Sequence, residues 1–218
     1  MSIRINDIAP DFTVESTAGK LNLHQWIGSG YAILFSHPKD FTPVCTTEFG
    51  AVAQLAPEFA KRNTKVLGVS VDNVEEHKNW ERDIESFAGS PADFPIIDDT
   101  SLHVSKLYDM LPADAYLPDG RTPADSATVR TVFIIGPDKK VRLTMSYPMS
   151  VGRNFAEILR ALDAVQATDG VPIATPANWV PGQDVIVALS LNDAQAKEKF
   201  GEIDVKLPYL RFAKAPKK

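Results

Sequence analysis

Apolar residues along this 218-residue chain follow two alternating periods. Short unbroken or alternating apolar runs predict strands, and stripes at i, i+3, i+4 predict helices. Phe12 to Ser16 and Leu21 to Leu23 flank Thr17-Ala18-Gly19-Lys20, a hairpin with Gly19 in its turn. Tyr31 to Phe35 reads as a strand, and Thr46 to Lys61 as a helix with Phe49, Val52, Leu55 and Phe59 on one stripe. Val66 to Val71 is a buried strand. Asp72 or Asn73 then caps a helix whose inward positions are Val74, His77, Trp80, Ile84 and Phe87. Pro95-Ile96-Ile97 leads to Asp99, a second cap, and a helix through Leu102 and Leu107. Val129 to Ile135 and Val141 to Tyr147 form a strand pair about the turn Gly136-Pro137-Asp138-Lys139. A helix over 154–167 follows, with Phe155, Ile158, Leu159, Leu162 and Val165 at helical spacing.

Strands alternating with helices and closing on an antiparallel pair predict an α/β protein: a mixed central sheet with helices on both faces. Periodicity alone does not choose among α/β folds. The pattern changes at Thr168, where Pro172, Pro176 and Pro181 mark an extended linker. Beyond it come a short strand (Val185 to Leu189), a helix (Asp193 to Phe200) and a strand near Tyr209. The expected division is a main domain over 1–168 and a small α+β extension over 169–218. About fifty residues make little core alone, so the extension is expected to pack on the main domain or on a partner subunit.

Composition narrows the function. A net charge of −5 and a pI of about 5.4 argue against a nucleic-acid partner, which calls for a clustered basic footprint. No stretch approaches the roughly 18 apolar residues of a membrane span. Arg4, Asp7 and Asp11 interrupt any leader-like run, and one cysteine excludes an intrachain disulfide, so a cytoplasmic protein is expected. His24, His37, His77 and His103 show no paired ligand spacing, and no phosphate loop appears; neither metal nor cofactor is expected.

That single cysteine, Cys45, stands between a strand and a helix, after Pro38, Thr42 and Pro43. Position alone is compatible with a small buried hydrophobe. Its polar, backbone-constraining neighbours argue instead for chemistry. In the first turn of a helix, unpaired N–H groups and the macrodipole favour an anion, and the thiolate is the reactive form of cysteine.

The run Pro38-x-x-x-Thr42-Pro43-Val44-Cys45 resembles the active-site loop of the peroxiredoxins, thiol peroxidases with a thioredoxin-like fold. The longer string from Phe35-Ser36-His37-Pro38 to Cys45-Thr46-Thr47-Glu48 is similar to their one-cysteine, Prx6-type branch. The likeness continues at Phe94-Pro95-Ile96-Ile97-Asp98-Asp99, Gly136-Pro137-Asp138, Tyr147-Pro148, Gly152-Arg153-Asn154-Phe155 and Ala174-Thr175-Pro176-Ala177-Asn178-Trp179.

The resemblance implies attack of Cys45 on hydrogen peroxide or an alkyl hydroperoxide, leaving a sulfenic acid. Thr42 would present its hydroxyl to the peroxide, and Arg130 its guanidinium to sulfur and oxygen. Without the motif, Arg130 reads as a strand-end surface arginine. The N–H groups of Val44 and Cys45 are further donors. Pro38 would shield the site as well as end the strand. Glu48 would orient Arg130 and Arg153, or merely sit well in a first helical turn. His37 is secondary, because no position resembles an orienting carboxylate for it.

Ionisation does not explain such a reaction. A free thiol of pKa about 8.5 is roughly 3% ionised at neutral pH, so full ionisation gains only ~30-fold. A thiolate three pKa units lower also loses ~20-fold in nucleophilicity. The two nearly cancel, so activation of the peroxide must supply most of the acceleration.

With no second cysteine, the thiol must be regenerated by an external reductant, glutathione or a thioredoxin-like protein. The resemblance also implies a homodimer, or a higher ring, with the strand Val141 to Tyr147 pairing across a two-fold axis. A peroxide sensor or an oxidation-dependent chaperone is the alternative reading. Some proteins of this branch carry a lipase-like Gly-x-Ser-x-Gly element with a histidine and an aspartate. Here Gly30 stands in the serine's place, with His24 and Asp138 matching the partners, and no lipase activity is expected.

Overall fold

A five-stranded mixed sheet organises the first part of the chain, in a computed structural model that describes residues 3–115 and 126–216. The chain divides into two compact units, Met1–Phe155 and Ala156–Lys218.

In the first unit, β1 (Thr13–Val14) and β2 (Leu21–Asn22) form the expected hairpin. Leu23 leaves it to begin a short helix, α1 (Leu23–Ile27), whose Asn22 cap accepts the Gln25 N–H. The sheet follows: β3 (Tyr31–Ser36), then α2 (Pro43–Lys61), β4 (Thr64–Ser70), α3 (Val74–Ala88), β5 (Ile96–Asp98), α4 (His103–Leu107), β6 (Arg130–Ile135) and β7 (Val141–Tyr147). Its order is β5-β4-β3-β6-β7. Strand β3 pairs parallel with β4, Leu34 opposite Leu67, and antiparallel with β6, Leu34 opposite Phe133. Central strands buried on both faces must be nearly all apolar, and Ala32, Ile33, Leu34 and Phe35 are. This mixed sheet flanked by helices is a thioredoxin-like fold.

Helix α2 starts three residues before the expected Thr46. Thr42 is its extended N-cap, and Pro43 takes the first helical position, where a missing N–H costs nothing. Helix α3 is capped by Asn73, with a reciprocal bond from Glu76, and buries His77, Trp80 and Ile84. Phe87 breaks the predicted stripe and is 62% exposed. Its ring lies beside Gly50 of α2, where a Cβ would come within 3.1 Å of Phe87 Cδ1. The N-cap of α4 is Leu102 rather than the expected Asp99, although the Asp99 carboxylate accepts the first-turn N–H groups of Val104 and Ser105. No helix among the described residues is long and apolar enough to cross a membrane.

The second unit holds most of α5 (Phe155–Thr168), then β8 (Ile173–Ala174), β9 (Val185–Val187), α6 (Asp193–Phe200), β10 (Ile203–Leu207) and β11 (Leu210–Ala213). The four strands make one sheet in the order β10-β11-β9-β8. The linker therefore contributes a strand, and the single strand expected near Tyr209 is a hairpin with Tyr209 in its turn. A small core of Ile173, Trp179 and Val185 serves the unit.

Candidate active site

Cys45 is the third residue of α2 and is fully buried. Thr42 makes no side-chain cap bond, and Pro43 has no N–H. The first intrahelical bond is Thr46 N–H to the Thr42 carbonyl, so Val44 and Cys45 carry the helix's leading N–H groups. The Thr42 hydroxyl donates to the Lys39 carbonyl at 2.9 Å, which leaves its oxygen lone pairs to act as acceptors. Phe41 adopts φ 54 and is 55% exposed, a backbone state that a bulky residue rarely takes. Pro38 is buried at the end of β3.

One turn on, Glu48 gathers two arginines. Arg130, at the start of β6, donates from Nη1 to Glu48 Oε2 at 2.7 Å and to Cys45 Sγ at 3.3 Å, and from Nε to the Met149 carbonyl at 2.8 Å. It is 3% exposed, not the surface arginine that its position alone would suggest. Arg153 reaches Glu48 Oε1 from its backbone N–H at 2.7 Å and from Nε at 2.9 Å, and Oε2 from Nη2 at 2.7 Å. Its Nη1 donates to the Thr131 carbonyl at 3.1 Å. Burial alone would raise the Glu48 pKa; the bonds from Arg153, then the Arg130 charge, hold it below the usual value, so Glu48 stays ionised. Two guanidinium charges and one carboxylate leave this dry cluster one positive charge in excess beside the sulfur.

The orienting carboxylate denied to His37 exists. Asp40 Oδ1 lies 2.6 Å from His37 Nε2, and Asp40 Oδ2 lies 2.6 Å from His77 Nδ1 on α3. Two loop residues separate His37 from Asp40, a spacing with no signature, and His77 lies 37 positions downstream of Asp40. Trp80, expected to face inward, does so, but nothing in the sequence signals that it stacks on the His37 ring at 5.1 Å and donates to Thr46 Oγ1 at 3.1 Å. His37, Asp40 and His77 have the makeup of a metal site. Yet both Asp40 oxygens already touch an imidazole nitrogen at hydrogen-bond length, too close for ligands around a zinc-sized ion.

The position matching the lipase serine, Gly30, admits no side chain: a Cβ there would stand 2.6 Å from the Asn63 carbonyl oxygen. His24 Nε2 meets the Ala9 carbonyl, and Asp138 pairs with Arg142.

Residues 5–144 match the AhpC/TSA family, and residues 164–202 match the C-terminal domain of 1-Cys peroxiredoxin. The mitochondrial peroxiredoxin PRX1 of Saccharomyces cerevisiae is 48% identical over 216 residues, covering 98% of this chain and 81% of the yeast protein. Peroxiredoxin-6 of Mus musculus is 45% identical, covering 97% of each chain. A crystal structure of the C45S mutant of peroxiredoxin 6 of Arenicola marina matches with a TM-score of 0.91 at 42% identity over 100% of both chains. A yeast mitochondrial 1-Cys peroxiredoxin, solved for its thiol-resolving mechanism via the glutathione and thioredoxin systems, matches with a TM-score of 0.87 at 47% identity, covering 97% of this chain and 99% of that one.

Proposed function

The chain belongs to the peroxiredoxins, in their one-cysteine branch, and from that membership we propose how its residues share the work of a thiol peroxidase. The observation that carries the reading is the position of Arg130 Nη1, 3.3 Å from Cys45 Sγ and 2.7 Å from Glu48 Oε2.

The Cys45 thiolate brings the buried cluster of Glu48, Arg130 and Arg153 to neutrality. Its sulfur attacks the nearer oxygen of hydrogen peroxide or an alkyl hydroperoxide. The O–O bond breaks, an S–O bond forms, and the departing oxygen takes a proton and leaves as water or an alcohol. Arg130 stabilises both the thiolate and the charge growing on the leaving oxygen, with a fork of donors that cannot deprotonate. Thr42 accepts the peroxide O–H, and the N–H groups of Val44 and Cys45 donate to the oxygens. Glu48 and Arg153 hold Arg130 in place, and Pro38 helps to exclude water.

The sulfenic acid is then reduced by two equivalents of an external thiol, which leave as a disulfide and water while Cys45 returns to the thiol. Glutathione or a thioredoxin-like protein is the reductant class, in keeping with the yeast relative's systems. A lone thiol suits a reducing compartment, and we place the protein in the cytoplasm. We assign the division at Thr168, with the extension serving a homodimer or a higher ring. Two features support that: β7 is an edge of its sheet, and the β10–β11 hairpin exposes Val205, Leu207 and Tyr209.

The test mixes reduced protein with one equivalent of hydrogen peroxide and traps sulfenic acid with a dione reagent. Fast, near-complete labelling of Cys45, lost in Cys45→Ser, is expected. Labelling no faster than that of an ordinary free thiol would overturn the peroxidase reading and favour the peroxide-sensor or chaperone alternative.

A further inference from the structure

Two residues on one face of α3 grip the chain on either side of Cys45. His77 holds Asp40, in the loop before α2, and Trp80 holds Thr46, the residue after Cys45. They stand three residues apart, the spacing at which helical side chains point the same way. Asp40 is tied at three points: Oδ1 to His37, Oδ2 to His77, and its backbone N–H to Asp72 Oδ2 at 2.9 Å. Asp72 is steadied in turn by the Ser70 hydroxyl at 2.7 Å. The chain between Asp40 and Thr46 contains the strained Phe41, the N-cap Thr42 and the sulfur itself.

Hydrogen-bond accounting locates the protons. His77 Nε2 faces the Ile97 carbonyl at 3.0 Å, which only accepts, so that nitrogen carries a hydrogen. His77 Nδ1 faces a carboxylate at 2.6 Å and needs a second hydrogen. The imidazole is therefore doubly protonated. Burial opposes this, but the bond from Asp40 outweighs it and raises the His77 pKa. Burial also works against the Asp40 carboxylate, and the two histidine bonds still hold it down at about 2. His37, whose pKa is lowered chiefly by burial, is neutral, with its hydrogen on Nε2 toward Asp40 and a buried Nδ1 that has no partner among the described residues. The chain is thus neutral His37, anionic Asp40 and cationic His77.

We propose that His77 is a positioning residue for the Cys45 reaction: its imidazolium anchors Asp40, and with it the loop that sets the sulfur against Arg130. This rests on the peroxidase reading and extends it to a residue that touches no reacting atom. The titratable groups acting on His77 are Asp40 and His37 from the loop, Asp72 from just after β4, and Glu81 on its own helix. Asp98 of β5 is turned to the Val74 N–H and to Thr100. As pH rises through the folded pKa of His77, the imidazolium charge that pairs with the Asp40 carboxylate is lost and this anchor on the loop weakens.

Two substitutions separate positioning from bulk. In His77→Asn the side-chain amide stands where Nδ1 stood and keeps a donor toward Asp40. In His77→Gln the amide reaches the place of Nε2 and keeps the bond to Ile97 instead. The rate of Cys45 sulfenic-acid formation is measured from neutral to alkaline pH, normalised to the folded fraction by circular dichroism. The native rate should fall on the alkaline side. The Gln variant should be slower by about 10- to 100-fold, the scale of a misplaced reacting group. The Asn variant should keep most of the neutral rate and lack the alkaline fall, because an amide does not titrate. Equal slowing in both variants with the native alkaline limb retained, or no slowing in the Gln variant, would overturn the proposal. Failure of the native protein to form sulfenic acid would strike the peroxidase reading itself.

Discussion

Arg153 meets Glu48 through three separate nitrogens, its backbone N–H among them, and so fixes both oxygens of the carboxylate that Arg130 shares. The main chain after β7 is thereby locked to the second turn of α2, and the lock stands beside the sulfur.

Removing Glu48 should therefore cost both stability and rate. Glu48→Ala leaves two buried guanidinium groups unpaired, and breaking such a pair from one side costs about 3–5 kcal/mol. Glu48→Gln keeps the shape and should cost less stability while still slowing peroxide reduction. Chemical denaturation of both variants, with sulfenic-acid formation followed in parallel, checks the ordering.

Arg130→Ala should slow the peroxide reaction by about 10²- to 10³-fold, the usual effect of losing one donor to a developing oxyanion. Arg130→Lys should not recover it, since a single ammonium cannot serve Cys45, Glu48 and the Met149 carbonyl from one planar fork. A lysine variant at native speed would refute the argument that peroxide activation, not thiol ionisation, dominates.

Stability should be lost at both ends of the pH scale through Asp40 and His77. The folded Asp40 pKa of about 2 lies below the ordinary 3.8, so its contribution is present above 3.8 and disappears as pH falls through 2. The folded His77 pKa lies above 6.5, so its contribution is complete below 6.5 and disappears as pH rises through the folded value. His37, lowered by burial, works the other way and weakens the fold below 6.5. Urea midpoints across pH should show Asp40→Asn flattening the acid limb and His77→Gln the alkaline one.

Gly30→Ser should destabilise the fold without creating a lipase site. A Cβ at 2.6 Å from the Asn63 carbonyl forces backbone to move, with a cost of about 1–3 kcal/mol. A variant as stable as the native chain would show that the turn before β3 is softer than its packing implies.

Most of the sheet is legible in the sequence because its strands are continuous apolar runs bounded by turn residues, as at Tyr31–Ser36 and Thr64–Ser70. The start of α2 is less so, since Pro43 reads equally as a breaker and as a first helical residue. Phe87 misleads because an aromatic at helical spacing signals burial, whereas here it covers a glycine of the neighbouring helix and faces outward. The loop motif points to Cys45 and Thr42, and only the family resemblance points to Arg130. Neither points to Asp40 or His77, whose contact joins positions 37 residues apart and leaves no periodic trace.

The Glu48 cluster also has a consequence for the chain as it is made. Its members come from α2, from the start of β6 and from the stretch after β7, separated by 82 and 105 residues. Contacts of such long sequence separation form late, after costly loop closures. During synthesis Cys45 emerges long before Arg130 and Arg153, and until they arrive it is an ordinary thiol. Full reactivity toward peroxide therefore awaits the fold that brings Arg130 and Arg153 to Glu48 beside the sulfur.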